Sequence, residues 1–336
     1  MPFDFFLGID VAKQTLDYAC VDLQGNLKAQ GQIPNAHKPI EHLLEELRQR
    51  FNLEPANMLI CLEHTGIYNN HLLEVFTRPD YCVWLESGKQ IRYSMGVHRA
   101  KTDSADALNI ARYAQRHQAQ ARLWKPETKL LTSLKALTSL RSRLLLAANT
   151  LKQPLKEAKP FMDKGIVRSL EKASAHSLKA LEKDLEAVNS QIETLIKGDP
   201  ELNRLFHLLT SIVGIGTVTA TSLILATNAF TDGKTAKQFA CYAGVAPFPY
   251  QSGSSIRGRT RVSPMADKQM KTLLHLSAMT AIRAKGELQD YYQRKVKEGK
   301  NKMAVLNAVR NKLILRAYAV VGKNQEYDKT YTYTLA

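Results

Sequence analysis

Phe5-Phe6-Leu7-Gly8-Ile9-Asp10-Val11 is an apolar run interrupted by one carboxylate. Its length and its aromatic and β-branched content predict a strand. A bare buried carboxylate is expensive, so Asp10 must be paired, hydrogen-bonded or bound to a metal, or else sit at a solvated strand end. Outward from this run come two further extended patterns, TLDYACVDL and LKAQGQI, set off by the polar turns AKQ and QGN. Three strands joined by tight turns make an antiparallel meander. A helical face of Ile40, Leu43, Leu44 and Leu47 over 38–51 follows, then the strand MLICLEHT, a short helix over 68–77 and the strand YCVWLE. That order predicts an α/β unit with a mixed sheet.

The chain has 336 residues, enough for two domains with a sizeable core. Its 47 Lys+Arg against 31 Asp+Glu leave a formal charge of +16. The excess is unevenly placed: residues 1–86 carry 6 basic and 12 acidic side chains, 87–250 carry 24 and 13, and 251–336 carry 17 and 6. Such a balance points to a polyanionic partner, nucleic acid first and an anionic membrane surface second. A uniformly basic coat protein is excluded by the acidic start, and a disordered tail by a hydrophobic content of 44%. The opening MPFDFFLGIDVAK lacks the pattern of a secretory signal, and no run approaches about 18 apolar residues, so the expectation is a cytoplasmic protein with no membrane partner. Cys20, Cys61, Cys82 and Cys241 form no CxxC pair and read as buried, reduced thiols.

From 127 to 198 the chain turns to long Leu/Ala/Lys/Glu-rich stretches, broken near Pro154 and Pro160. They predict two long helices, either an antiparallel hairpin acting as a dimer arm or ordinary bundle helices. Gly198-Asp199-Pro200 marks a boundary. Beyond it the chain reads as mainly helical: a glycine-bearing turn in LLTSIVGIGTVTATSLILAT, a Gly/Ser/Arg-rich loop at 251–263, and helices at about 264–285, 287–298 and 301–322.

Four acids carry the chemical signal. Glu63 ends an apolar strand much as Asp10 interrupts one, and Asp103 and Asp106 sit three apart just before the helical ALNIARYA, a spacing that on a helix puts both on one face. Each has an ordinary explanation: a solvated strand end, or a helix cap favoured by the dipole. Together they match the places where an RNase H-like nuclease fold gathers carboxylates for hard divalent ions, Mg2+ or Mn2+, at a phosphodiester. Ser252, Ser254 and Ser255 share a loop with Arg257, Arg259 and Arg261, which combines hydroxyls with phosphate-gripping guanidinium groups. The plain alternative is a basic loop that only touches a nucleic-acid backbone. Gly214 and Gly216, in VGIGT, resemble a helix-hairpin-helix turn able to hold a phosphate, though a tight interhelical turn explains them equally well. The histidines are scattered along the sequence, and only His64, beside Glu63, invites a role near the acids.

GIDVAK, CLEHTG and KTDSADA, followed by LTSIVGIGTVTA, FACYAGVAPFPYQSGSSIRGRTRVS and MKTLLHLSAM, resemble in order the DEDD-type insertion-sequence transposases, the family that includes the Piv DNA invertase. The resemblance implies a RuvC-like α/β domain with a mixed sheet at 1–125. It implies a long, coiled-coil-like helical dimerisation arm at 126–199 and a mainly helical transposase domain at 200–336. It implies a catalytic metal quartet of Asp10, Glu63, Asp103 and Asp106 holding Mg2+ or Mn2+, and a serine nucleophile, Ser252, with Ser254 and Ser255 as alternatives. Implied partners are double-stranded DNA, a structured guide RNA encoded by the element, and further copies of the chain in a homodimer or homotetramer. The quartet and the serine fall in different domains, so the expected active site is composite. Arg257, Arg259, Arg261 and the Lys-rich helices at 294–316 would supply phosphate contacts. Two rival readings are a hydrolytic RuvC-like, structure-specific nuclease and a non-catalytic DNA- or RNA-binding regulator. A cytoplasmic, nucleoid-associated location fits all three.

Overall fold

A computed structural model describes residues 3–77, 81–94, 103–252, 256–263 and 266–328. The chain divides into two compact units, Met1–Pro126 and Glu127–Ala336.

The first unit is built on a five-stranded mixed sheet. β1 (Phe5–Val11), β2 (Thr15–Asp22) and β3 (Leu27–Pro34) form the expected antiparallel meander, followed by α1 (His37–Phe51). β4 (Met58–Glu63) then runs parallel to β1, α2 (Asn70–Val75) returns, and β5 (Cys82–Glu86) runs parallel to β4. The order is β3-β2-β1-β4-β5, so β1, with Asp10, is central. α3 (Gly88–Ser94) and α4 (Asp103–His117) complete the unit. Side chains alternate across a strand, so β1, β2, β4 and β5 each feed two cores. Leu7, Ile9, Leu16, Ile60, Leu62 and Val83 pack with the Ile40, Leu43, Leu44 and Leu47 face of α1 and with Leu72 and Val75 of α2. Phe6, Ala19, Val21, Leu59, Cys61 and Trp84 point the other way and pack with Ala107, Ile110, Ala111 and Ala114 of α4. Phe6, Leu7, Leu59, Ile60 and Leu62 are essentially inaccessible to solvent, each side chain contributing roughly 1.5–3 kcal/mol of burial.

The second unit is mostly helical. α5 (Lys129–Ala158) and α6 (Lys164–Gly198) lie antiparallel, as Arg141 to Asn189, Lys152 to Glu182 and Lys159 to Glu171 contacts show. Thr128 caps α5 and Asp163 caps α6 with side-chain oxygens. α5 is not broken at Pro154, as the sequence led us to expect, but runs through it. The missing N–H costs the Thr150 carbonyl its helical partner, and both residues are exposed, so water can satisfy it. Pro160 does lie in the turn between the two helices.

α7 (Pro200–Thr210) starts on an Asp199 cap and leads through the glycine turn to α8 (Thr217–Ala226). α9 (Ala236–Tyr242), which the sequence reading passed over, begins with a Thr235/Gln238 capping box. The segment read as a loop at 251–263 is instead largely a two-stranded antiparallel hairpin, β6 (Pro247–Ser252) and β7 (Ile256–Val262). α10 (Lys268–Ala281), α11 (Glu287–Lys297) and α12 (Lys302–Lys323) close the chain. Their shared core includes Leu205, Leu209, Leu223, Phe239, Leu274, Val309, Leu313 and Ala317, and Leu131, Leu134, Val188 and Ile192 from one end of the α5–α6 pair join it. No helix among the described residues is long and apolar enough to cross a membrane.

The cysteine expectation holds for Cys20 and Cys61, which are buried, whereas Cys82 is half-buried and Cys241, on α9, is exposed. On α9 the buried positions are Phe239 and Ala240, which leaves Cys241 exposed.

Candidate active site

Register brings the strand acids together. β1 and β4 pair in parallel up to Ile9 opposite Leu62, which sets Asp10 and Glu63, the next residue of each strand, side by side. Across β4 and β5, Glu63 stands opposite Glu86, and across β1 and β2, Asp10 stands opposite Asp17. One row of the sheet therefore reads Asp17, Asp10, Glu63, Glu86. Strand alternation puts the row on the face of Phe6, Leu59 and Trp84, the face that α4 covers.

α4 reaches that face because Gly8 has no side chain. A Cβ at Gly8 would lie 2.2 Å from the Ala111 amide nitrogen and 2.3 Å from the Ala107 carbonyl oxygen, so the helix backbone rests directly on β1. The helix runs opposite to β1: Gln115, near its end, donates to the Leu23 carbonyl at 2.9 Å, beside the start of β1. Its beginning, with Asp103 as first residue and Asp106 one turn on, thus lies toward the Asp10 end. Asp10, Glu63 and Asp106 are all half-buried. The side chain of Asp103 lies outside the described residues.

Neighbouring groups fix the row at both ends. Asp17, only 7% exposed, accepts from Gln32 Nε2 at 3.0 Å. Glu86 accepts from the Ser87 amide at 2.7 Å and from the Tyr113 hydroxyl at 3.3 Å. Burial, reinforced by the Glu86 charge, raises both the Tyr113 hydroxyl and the Cys61 thiol above their ordinary values, so both stay protonated. After Glu63 the chain turns on Asn69, which is 1% exposed. Its amide donates to the Glu63 carbonyl at 2.9 Å, and its oxygen accepts from the Thr65 amide and hydroxyl at 2.8 and 2.7 Å. The Glu63 carboxylate occupies the space above Gly88, at the start of α3. His64 is exposed, and its backbone amide donates to the Glu86 carbonyl.

Like charges on adjacent strands repel, so a row of carboxylates is stable where a cation is held among them. Hard oxygen donors at half-buried positions suit a divalent ion such as Mg2+. The sequence reading missed Glu86, although YCVWLE has the same form as MLICLE, an apolar strand ending in Glu.

The remaining candidates are in the second unit. Ser252 ends β6, with Ile256 as its cross-strand neighbour, and Arg257, Arg259 and Arg261 occupy alternate positions of β7. Arg261 is exposed. The side chains of Ser252, Arg257 and Arg259, and Ser254 and Ser255 altogether, lie outside the described residues. Gly214 has φ +98°, and a Cβ there would meet the Ser277 carbonyl oxygen at 2.5 Å, so its glycine serves close packing on α10. Gly216 is exposed at the start of α8.

The 294–316 helices are not uniformly available as a basic surface. Arg316 pairs with Glu287, and Arg310, 6% exposed, bonds to His275 Nδ1 at 2.6 Å and to Asn307. Arg294, Lys297 and Lys300 are exposed.

Sequence comparison gives an independent line. A sequence model of the IS110-type DEDD transposases matches residues 7–158, and one of the transposase IS116/IS110/IS902 family matches 196–293. The pilin gene-inverting protein of Moraxella bovis is 28% identical over 332 residues, covering 96% of this chain and 98% of that protein. Its counterpart from Moraxella lacunata is also 28% identical over the same span. An uncharacterised 43.6 kDa protein of insertion element IS110 from Streptomyces coelicolor is 33% identical over 154 residues, 46% of this chain and 37% of that one.

Proposed function

Because the chain belongs to the IS110 family of DEDD transposases, and is thus a DNA recombinase, we propose that it cuts and rejoins DNA through a serine phosphoester intermediate with divalent-metal assistance. Asp10, Glu63, Asp103 and Asp106 would hold Mg2+ or Mn2+. Such an ion, when bound, stabilises negative charge at a reacting phosphate. The observation that carries the reading is the parallel register that sets Asp10 beside Glu63 under the beginning of α4.

In the proposed reaction the Ser252 hydroxyl oxygen attacks phosphorus and loses its proton. The bond from phosphorus to one deoxyribose oxygen breaks, and that oxygen leaves as a sugar hydroxyl after gaining a proton. The serine–phosphate ester keeps the bond energy, so a second sugar hydroxyl can attack it and rejoin the DNA, releasing serine. Arg257, Arg259 and Arg261 neutralise phosphate charge from β7, and Gly216, with Gly214 shaping its turn, offers backbone N–H groups to a phosphate. The basic surplus of residues 87–336 fits DNA together with a structured guide RNA that supplies sequence recognition.

We divide the work among three regions: a metal-binding RuvC-like region at 1–125, a dimerisation arm at 126–199 and a transposase region at 200–336. The arm carries exposed Leu145, Leu146, Leu151, Phe161, Met162, Ile166 and Leu170, which fits assembly into a homodimer or homotetramer. The protein would act in the cytoplasm, at the nucleoid.

The deciding experiment incubates the protein with end-labelled DNA carrying element ends, the guide RNA and Mg2+, and resolves products on a denaturing gel. A protein–DNA adduct lost in Ser252→Ala and in Asp10→Asn supports the reading. Cleavage that persists in Ser252→Ala without an adduct overturns it in favour of a hydrolytic nuclease. Activity intact in Asp10→Asn removes the carboxylates from the chemistry.

A further inference from the structure

On the sheet face opposite α4, His37, His71 and Glu74 converge on one exposed point. His37 opens α1, and His71 and Glu74 are one turn apart on α2, so both project from the same side of that helix. A ligand atom from each of the three lies within 4.8 Å of the other two. His37 Nε2 is 2.6 Å from Glu74 Oε2, and the His37 and His71 rings stand 4.6 Å apart at 70°. The sequence showed only scattered histidines, 34 positions apart in this pair. The fold makes them neighbours.

The framework that holds them does not depend on them. Leu72 and Val75 anchor the inner side of α2 in the same core as Ile40, Leu43 and Leu44 of α1. The Asn35 side-chain amide donates to the Ala12 and Tyr68 carbonyls, each at 3.0 Å, tying the chain just before α1 to the turn before α2. Both helices are therefore fixed relative to each other, while the three donor side chains remain at the surface.

We propose that His37, His71 and Glu74 form a binding site for a transition-metal ion of the zinc class. Two imidazoles and one carboxylate are a zinc donor set; the fourth tetrahedral position is left to water. Ligand atoms about 2.0–2.2 Å from an ion lie roughly 3.3–3.5 Å apart, so small side-chain rotations suffice from the present spacing. The His37–Glu74 pair opens slightly and His71 swings in. The acid row on the other face offers only oxygen, so the two sites differ in kind: magnesium belongs there and zinc here.

The ion would staple the start of α1 to α2. Since α2 directly follows the Asn69 turn that leaves Glu63, the staple stiffens the segment that positions that strand end. It makes its own contribution to the stability of the first unit, separate from any catalytic ion.

The test uses the full-length protein, stripped with a chelator and dialysed, then titrated with Zn2+ against a chromophoric zinc indicator in millimolar Mg2+. The expected result is one equivalent bound with micromolar or tighter affinity and a rise in melting temperature. His71→Ala and His37→Ala each weaken binding by at least about tenfold and abolish the zinc-dependent rise, with circular dichroism unchanged. Glu74→Gln weakens it less. The same stoichiometry and affinity in a His37→Ala/His71→Ala double variant overturns the proposal, as does binding that needs millimolar zinc in the unaltered protein.

Discussion

Glu63 and Gly88 share one space: a Cβ at Gly88 would lie 1.8 Å from Glu63 Oε1. The clash is with the end of a flexible side chain, not with backbone. Gly88→Ala is therefore expected to fold and to displace the Glu63 carboxylate. A shift of about 1 Å at a reacting centre costs on the order of a hundredfold in rate. Recombination should fall by roughly that factor, with circular dichroism and melting temperature close to those of the unaltered protein. An active Gly88→Ala would show that Glu63 does not need this position.

Gly8 makes the opposite case. The atoms a side chain would meet there are backbone, the Ala111 nitrogen and the Ala107 oxygen, and neither can turn aside. Gly8→Ala should lift α4 from the sheet and destabilise the protein by about 1–3 kcal/mol, the usual range for overpacking. Urea denaturation measures the loss. Activity should fall with it, since Asp106 travels with α4.

His275 makes stability depend on pH. Burial first, and the Arg310 guanidinium beside it second, hold its imidazole below the ordinary value. A lowered folded value means that the unfolded chain takes up the proton at higher pH. The stabilising contribution is then complete above about pH 6.5 and lost as pH falls from there through the folded value. His275 is only part-buried, so solvent screening keeps the effect modest. His275→Gln should flatten the melting profile below about pH 6.5. An unchanged profile would assign the acid sensitivity elsewhere.

Much of the first unit was legible because its strands obey a simple rule. Leu7, Ile9, Ile60 and Leu62 are apolar toward one core, and Phe6, Leu59 and Cys61 toward the other, so a continuous apolar run announces a strand buried on both faces. An acid in or at the end of such a run is conspicuous, which is how Asp10 and Glu63 stood out. Pairing register was not legible, and with it went Glu86 and Asp17, whose significance lies in what they stand beside. The β6–β7 hairpin was missed for a different reason. IRGRTRV alternates glycine or threonine with arginine instead of apolar with polar, so it carries no hydrophobic period. His37 and His71 meet only through the packing of two helices, and Gly88 matters only because of a side chain 25 positions earlier.

The pairing of β1 with β4 has a consequence for how errors in this protein would appear. A slip of one residue would turn Glu63 away from Asp10 and toward the α1 side, taking apart the proposed metal site. The same slip would move Ile60 and Leu62 out of the α1-side core and into the already filled α4-side core, an overpacking that costs about 1–3 kcal/mol. The greasy residues of β4 thus act as a reading frame for the acids: they do no chemistry, and they proofread the alignment on which the proposed metal site depends.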